Sequence, residues 1–255
     1  MSVTFDNISK IYQSPRAAAR TVALENVSLD LAEGELVVLL GPSGCGKTTL
    51  LKLLAGFEFP TSGRVLVDGK PVPKPGPDRG TIFQAPTLFP WLTALDNVLY
   101  GPRVNGLSDK QMRQKALDVL ASVGLTGFEE HLPHNLSGGM QQRVAIARVL
   151  INEPRILLAD EPFAALDEYT RRAMQQLFLK VARKPGRTLL FVTHSIEEAV
   201  YLADRIVIMS PRPGRIQEII DVPMPHPRER SSRDFLDMMG RVYDQVGHHV
   251  ELDVA

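Results

Sequence analysis

The sequence predicts an α/β fold in which helices cover a mostly parallel sheet. Short aliphatic strands alternate with helical patterns along the second half of the chain, an arrangement typical of parallel sheets. The strands are predicted at 155–159, 188–192 and 205–209, and the helices at 169–181 and 196–203. The length of 255 residues and the hydrophobic content of 44% suffice for one large domain with a substantial core. We therefore expect one α/β domain with at most a small appendage.

Composition and charge exclude several classes of protein. Lys and Arg number 29, and Asp and Glu also number 29, so the chain lacks the positive charge typical of proteins that bind nucleic acid. The longest aliphatic run, 36–40, is far shorter than the roughly 20 apolar residues that span a bilayer. Residues 1–7 show no secretory signal, and Cys45 is the only cysteine, which excludes an internal disulfide. We expect a cytoplasmic chain.

A glycine-rich loop joins a predicted strand to a predicted helix. Extended runs at 22–31 and 35–40 precede the loop, and a leucine-rich helix that ends at Gly56 follows it. The loop consists of Gly41, Pro42, Ser43, Gly44, Cys45, Gly46, Lys47, Thr48 and Thr49. Its glycines let backbone N–H groups turn toward a β-phosphate, and the positive end of the helix faces the same point. A turn without ligand is the alternative, which the flanking strand and helix disfavour.

Three side chains of this loop have chemistry of their own. Lys47 supplies a full positive charge to the phosphates. The Thr48 hydroxyl can bind a Mg²⁺ ion that bridges the β- and γ-phosphate oxygens. Cys45 lies near a helix N-terminus, where its thiol is either acidified or simply a tolerated small residue. The loop therefore predicts a nucleoside triphosphate with its metal ion as the ligand.

An acidic pair, Asp160 and Glu161, follows a later aliphatic strand. The carboxyl end of a buried parallel strand is where such sheets bind ligands, so Asp160 can hold the hydrated Mg²⁺. Glu161 can then orient or deprotonate the attacking water. An ordinary exposed acidic pair is the alternative, and it is disfavoured beside a phosphate loop. The two motifs together predict hydrolysis of the triphosphate.

A third motif indicates a family. Ser137, Gly138 and Gly139 precede a helical run at 140–150, which makes a helix N-terminus suited to an anion. This segment resembles the signature motif of ATP-binding cassette (ABC) proteins, with Met140 at the position where glutamine is usual. The resemblance implies ATP and Mg²⁺ as ligands. It also implies that the serine and glycines reach the ATP held by a second copy of the chain in a head-to-tail dimer.

The resemblance implies roles for four further residues. Gln84 is similar to the glutamine that touches Mg²⁺ and relays the nucleotide state to membrane subunits. His194 is similar to the switch histidine at the γ-phosphate, and Asp167 to an aspartate in the loop that crosses the dimer interface. Tyr12 resembles the aromatic residue that stacks on adenine, with core packing as the alternative. An insertion at 14–20 follows it.

For the whole chain, the resemblance implies the fold of P-loop nucleoside triphosphatases, with an N-terminal antiparallel β subdomain and an inserted α-helical subdomain. The expected bounds are 1–215 for the ATPase domain, about 85–150 for the helical insertion, 216–255 for a C-terminal extension and 233–246 for an amphipathic helix within it. Ser231 and Asp234 form a possible capping box for this helix. Every candidate phosphate contact precedes Pro211, so we expect the segment from there onward to be dispensable for nucleotide binding.

An apolar stretch at 88–98 follows Gln84. It is either core of the helical insertion or the groove that receives a short helix of a membrane permease, and we expect Phe89 and Trp91 to be partly exposed. This stretch and the segment 211–215 resemble importer ATPases for nitrate, bicarbonate, sulfonates and taurine.

The resulting hypothesis is an ATP-hydrolysing subunit of an importer that energises uptake of a small solute, such as one of these four, through a permease. It implies a second copy, permease subunits and, indirectly, an external solute-binding protein as partners, at the cytoplasmic face of the inner membrane. An ATPase of an exporter or lipid-handling complex would carry the same catalytic motifs. A non-transport cassette protein is disfavoured by the single cassette, the lack of sustained heptads and the zero net charge.

Overall fold

The computed structural model describes residues 1–13 and 20–252, with side chains through residue 246. It divides into two compact units, of which the first comprises Met1–Gly76 and Thr188–Ala255 and the second comprises Pro77–Arg187. Of the insertion predicted at 14–20, only Arg20 belongs to the described residues.

Strands and helices alternate along most of the chain. In chain order, the elements are β1 (Val3–Gln13), β2 (Arg20–Leu31), β3 (Leu36–Leu40), α1 (Lys47–Ala55), β4 (Ser62–Val67), β5 (Lys70–Pro71), β6 (Arg79–Ile82), α2 (Ala94–Val104), α3 (Asp109–Ser122), α4 (Gly138–Leu150), β7 (Ile156–Asp160), α5 (Glu168–Ala182), β8 (Thr188–Thr193), α6 (Ile196–Leu202), β9 (Arg205–Met209), β10 (Ile216–Asp221) and α7 (Arg233–Leu252). None of the described helices is both long enough and apolar enough to cross a membrane.

The first unit contains an antiparallel sheet in the strand order β2-β1-β4-β5, which confirms the expected N-terminal β subdomain. Its central strand β1 has no counterpart among the sequence-based predictions. Val3 of β1 lies opposite Leu31 of β2 and Val67 of β4. The buried side chains of Val3 and Phe5 alternate with more exposed neighbours, which is the two-residue period of a strand with one covered face.

The first unit also contributes four strands to a second sheet, in the order β10-β9-β3-β8. The central strand β3 is buried along its whole length and pairs in parallel with β8 and β9. Parallel pairing brings the carboxyl ends of these three strands to one edge, which is where ligands bind in such sheets. β10 lies antiparallel beside β9, so the sheet continues beyond residue 215.

The C-terminal helix α7 begins where predicted but is capped differently. The Oγ of Ser232 accepts a hydrogen bond from the Phe235 backbone N–H at 3.3 Å. The Oγ of Ser231 instead donates to the Glu229 carboxylate at 2.9 Å. The predicted capping box of Ser231 and Asp234 is therefore wrong, because α7 begins at Arg233 and the residue directly before it, Ser232, supplies the capping hydroxyl.

The second unit contains the parallel pair β6 and β7 together with α2, α3, α4 and α5. The helical pattern predicted at 85–150 corresponds to three α-helices preceded by a non-helical segment that ends at Thr93. The Thr93 side chain caps α2 by accepting from the Asp96 N–H at 3.1 Å. The strand β6 ends at Ile82, so Gln84 lies in the loop that follows this strand.

Candidate nucleotide-binding site

The phosphate loop lies between β3 and α1, as predicted. Gly44 has a φ of +80° and Gly46 a φ of +97°, a left-handed backbone that residues with a Cβ rarely adopt. Gly46 occupies the N-cap of α1 and supplies no side-chain acceptor to the first helical turn. The N–H groups of that turn are therefore suited to an anion, and the helix dipole favours negative charge there.

Lys47 is the only charged residue inside this loop, and it is 5% exposed. Its Nζ donates to the carbonyl oxygen of Gly41 at 2.7 Å and to that of Pro42 at 2.9 Å. The same Nζ lies 3.6 Å from the Cys45 Sγ. These bonds hold the ammonium group across the loop. The Cys45 side chain is itself fully buried, which favours its interpretation as a packed small residue.

His194 lies at the same sheet edge as the loop. Leu40, the last residue of β3, is opposite Thr193, the last residue of β8, in a parallel pair. Gly41 and His194 each follow their strand by one residue, so both lie just beyond this edge. His194 is exposed, and Ser195 caps the following helix by accepting from the Glu198 N–H at 3.3 Å.

Tyr12 lies close to Glu58 and to Thr49, the last residue of loop 41–49. Its hydroxyl donates to the Glu58 Oε2 at 2.5 Å and lies 3.5 Å from the Oγ1 of Thr49. Burial first, and then the hydrogen bond to the Glu58 carboxylate, raise the pKa of Tyr12 above its ordinary value. The side chain is 37% exposed, which does not suit the alternative that Tyr12 packs in the core. Sequence analysis did not identify Glu58 as its partner.

The second unit carries the acidic residues at the edge of its own parallel pair. Ile82 of β6 lies opposite Ala159 of β7. Gln84 follows Ile82 by two positions, and Asp160 and Glu161 follow Ala159 directly, so the three polar side chains belong to one edge. Glu161 has a φ of +42°, a backbone conformation that is costly for a residue with a Cβ and occurs most often at functional sites.

The signature residues begin α4 and remain accessible. The Ser137 Oγ accepts from the Met140 N–H at 3.3 Å, which makes Ser137 the N-cap. Ser137 and Gly138 are exposed, and a Cβ on Gly138 would meet open space. A Cβ on Gly139 would lie 3.1 Å from the Cγ2 of Thr170, so α5 limits the size of the residue that fits at position 139.

Asp167 lies close to this signature turn. Its Oδ1 accepts from the Thr170 N–H at 3.0 Å, so Asp167 caps α5. Thr170 is also the residue whose side chain a Cβ on Gly139 would approach. This hydrogen bond holds the pKa of the Asp167 carboxyl below its usual value. The structure therefore places Gly139 beside the first turn of α5, which Asp167 caps, although the sequence separates the two residues.

The apolar stretch after Gln84 is partly core and partly surface. Leu95 and Val98 are buried in α2, whereas Trp91 is 72% exposed. The ring centroid of Phe89 lies 5.7 Å from that of Trp91 and 4.3 Å from that of Tyr100. The core interpretation therefore holds for the part of the stretch in α2, and the partial exposure expected for Phe89 and Trp91 is confirmed.

Two polar residues that sequence analysis missed hold this stretch. The fully buried Asn97 accepts from the Phe89 N–H at 2.9 Å and donates to carbonyl oxygens of the same turn. Arg148 of α4 donates to the carbonyl oxygens of Thr87 at 2.9 Å and Pro86 at 3.1 Å. Asn97 could have been found from the sequence because it lies among the apolar residues of an amphipathic helix. A polar side chain buried there requires hydrogen-bond partners.

Comparisons with known proteins agree with the resemblance. A family model described as ABC transporter matches residues 24–164. The taurine import ATP-binding protein TauB of Burkholderia pseudomallei is 54% identical over 209 residues, which cover 82% of this chain and 80% of TauB. The aliphatic sulfonates import ATP-binding protein SsuB of Bacillus cereus is 43% identical, with 96% of each chain covered.

Among solved structures, the chain is similar to the ATP-binding cassette MJ0796, determined as a dimer in a post-hydrolysis state with ADP and Pi bound. The TM-score is 0.75 at 36% identity, and the similarity covers 88% of this chain and 100% of that one. The α/β P-loop fold expected from the sequence is thereby confirmed.

Proposed function

Because this chain belongs to the ABC transporter family and is an ATP-hydrolysing subunit of an importer, we propose that loop 41–49 binds the phosphates of ATP. The observation that carries the assignment is the position of Lys47, held across the loop at the N-terminus of α1 by the Gly41 and Pro42 carbonyls. There, a buried ammonium group and the free end of a helix converge on one point, which suits a polyphosphate.

Mg²⁺ is proposed to be held by Thr48, Gln84 and Asp160. Their hydroxyl, amide and carboxylate oxygens are the hard ligands that this ion prefers, and none of the three side chains is buried, so water can complete the coordination. When bound, the ion would neutralise charge on the β- and γ-phosphates.

The catalytic residues are proposed to be Glu161, His194 and Lys47. The Glu161 carboxylate would orient the attacking water and accept its proton, while the His194 imidazole would contact the γ-phosphate. Lys47 would stabilise the charge that develops on the transferred group. Tyr12, held by Glu58, would stack on the adenine ring.

A second copy of the chain is proposed to complete each site in a head-to-tail dimer. The exposed turn of Ser137 and Gly138, with Gly139 and Asp167 beside it, would contact the ATP bound in the loop of the other copy. The open space around Gly138 supports this assignment because it leaves room for a phosphate to approach. The dimeric state of the related cassette with ADP and Pi is consistent with it.

The solute is proposed to be a small anion or zwitterion of the nitrate, bicarbonate, sulfonate or taurine type, since related chains are named for taurine and sulfonate import. Permease subunits would dock on the exposed surface around Trp91, and an external solute-binding protein would deliver the solute. The chain would then lie peripherally at the cytoplasmic face of the inner membrane. The proposed domain bounds are 1–215 for the ATPase, with a helical insertion at about 85–150, and 216–255 for an extension whose first strand, β10, pairs with β9 of the ATPase.

The catalytic assignment is tested by the substitution Glu161→Gln. We expect the variant to bind ATP but to hydrolyse it about a hundredfold more slowly, or slower still, because a positioned base is worth that much. It should also accumulate as an ATP-bound dimer, detected by size-exclusion chromatography with ATP present. Hydrolysis at the wild-type rate would remove Glu161 from the mechanism.

The docking assignment is tested by Trp91→Glu, with Tyr243→Glu as its control. The two aromatic side chains are 72% and 69% exposed, so each substitution places a carboxylate on a surface without disturbing the core. We expect only Trp91→Glu to abolish co-purification with the permease, because a carboxylate desolvated at an interface is strongly unfavourable. Both variants should bind ATP. Normal assembly of Trp91→Glu would place the docking site elsewhere.

A further inference from the structure

The turn between β9 and β10, residues 211–215, is closed by hydrogen bonds to Ser210. The Ser210 Oγ donates to the carbonyl oxygen of Pro213 at 2.8 Å and accepts from the Arg215 N–H at 2.9 Å. The Ser210 N–H in turn donates to the Arg215 carbonyl oxygen at 2.9 Å. These three bonds define the shape of the turn, so its central residues are presented in one conformation.

The same turn is attached to β2 through its backbone. The Gly214 N–H donates to the Ala23 carbonyl oxygen at 3.0 Å, and the Glu25 N–H donates to the Gly214 carbonyl oxygen at 3.0 Å. The Arg215 guanidinium adds an ion pair with the Glu25 carboxylate at 2.6 Å. Gly214 is thereby anchored from both sides on a strand of the other sheet of this unit.

Gly214 also lies directly against the phosphate loop. A Cβ on Gly214 would overlap the carbonyl oxygen of Cys45, so only glycine fits while the loop keeps its position. Gly46, the residue after Cys45, is also enclosed, because a Cβ added to it would lie 2.9 Å from the Ala23 carbonyl oxygen. The peptide between Cys45 and Gly46 is thus enclosed by β2 and by the 211–215 turn.

The direction of the Cys45 carbonyl decides which way the next N–H points. The Cys45–Gly46 bond is not among the cis peptides of the described chain, and in a trans peptide the C=O and N–H groups point in opposite directions. Because the Cys45 carbonyl faces Gly214, the Gly46 N–H points away from the turn. That direction is toward the concave side of a loop of this kind, where a phosphate would accept the hydrogen bond.

We infer that Gly214 is a positioning residue for nucleotide binding. It acts through the Cys45–Gly46 peptide, whose N–H it keeps pointed at the β-phosphate position before the nucleotide binds. Binding then requires less ordering of the loop, and the affinity for the nucleotide is higher. The inference rests on the proposed function of loop 41–49 as the phosphate site. It also opposes the expectation that the segment from Pro211 onward is dispensable for nucleotide binding.

The test compares Gly214→Ala with Gly240→Ala. Gly240 lies in α7, where an added Cβ would meet open space, so this control adds the same methyl group without a clash. The measurement is the equilibrium affinity of the full chain for ADP and for AMP, which lacks the β-phosphate. We expect Gly214→Ala to lower the preference for ADP over AMP about tenfold, the value of one well-aligned hydrogen bond to a charged group, and Gly240→Ala to leave it unchanged.

Two further variants keep the outcome interpretable. Ser210→Ala removes two bonds of the turn without adding bulk, and we expect it to lower the ADP preference about threefold even if Gly214→Ala does not fold. Lys47→Ala tests the proposed phosphate site itself. If Lys47→Ala reduces the ADP preference while Ser210→Ala and any folded Gly214→Ala match Gly240→Ala, the role of Gly214 is overturned. If Lys47→Ala has no effect, the phosphate-site assignment fails instead.

Discussion

Asn97 is the residue on which the exposed apolar stretch of the second unit depends most directly. Its Oδ1 accepts from the Phe89 N–H at 2.9 Å, and its Nδ2 lies 3.2 Å from the Phe89 carbonyl oxygen, 3.0 Å from that of Leu92 and 3.0 Å from that of Thr93. The side chain is fully buried. The substitution Asn97→Ala therefore removes every one of these bonds and leaves the turn around Trp91 with the backbone bond from the Leu92 N–H to the Phe89 carbonyl oxygen.

The magnitude follows from the number of bonds that one amide group can make. Its nitrogen carries two hydrogens and its oxygen accepts one bond here, so at most three full hydrogen bonds are lost although four partners lie within reach. At about 1 kcal/mol for each buried bond, the expected loss in unfolding free energy is about 3 kcal/mol. Backbone groups of the turn that reach water on relaxation would reduce this value toward about 2 kcal/mol.

Urea unfolding of the wild type and of Asn97→Ala measures this loss, with Asn105→Ala as the matched control. Asn105 ends the same helix and is exposed, so its substitution should change stability by less than about 0.5 kcal/mol. We also expect Asn97→Ala to weaken co-purification with the permease while ADP binding at loop 41–49 persists. A loss of stability no larger than that of the control would refute the assigned role of Asn97.

Two further predictions concern the composite site and the adenine contact. A mixed dimer of Ser137→Arg with Lys47→Ala should retain ATP hydrolysis, because head-to-tail geometry places both lesions in one site; inactivity of a dimer shown to be mixed would argue against two independent sites. Glu58→Gln should weaken ATP binding a few-fold, because the neutral amide oxygen accepts the Tyr12 hydrogen bond more weakly than the carboxylate does, and it should return the pKa of Tyr12 toward its ordinary value. In a Tyr12→Phe background, Glu58→Gln should have no such effect on affinity. An undiminished loss of affinity in that background would show that Glu58 does not act through Tyr12.

The features that the sequence predicted correctly are local ones. The phosphate loop is continuous in the chain, and its glycine spacing together with the strand before it and the helix after it determines its form. The same holds for the start of α1 at Lys47 and its end at Gly56, where a residue in the left-handed conformation closes the helix. The strand β7 that ends in Asp160 was predictable because a run of aliphatic residues followed by an acid is a local pattern.

Predictions failed where the deciding partner was not part of the local pattern. The cap of α7 depended on which of two adjacent serines directly precedes the first helical residue, Arg233, and composition alone does not distinguish them. The strand β1 lies between β2 and β4, and this position depends on pairing with segments far along the chain.

The sequence by itself therefore determined the α/β class, the form of the glycine-rich loop 41–49 and the family, since these depend on neighbouring residues whose spacing is chemically constrained. Only the tertiary structure decided that Gly214 meets Cys45, that Glu58 holds Tyr12, and that Asn97 organises the turn at Phe89. Each of these contacts depends on the direction of a single carbonyl, hydroxyl or amide group. Such directions are set by the packing of whole strands and helices, and no residue pattern along the chain specifies them.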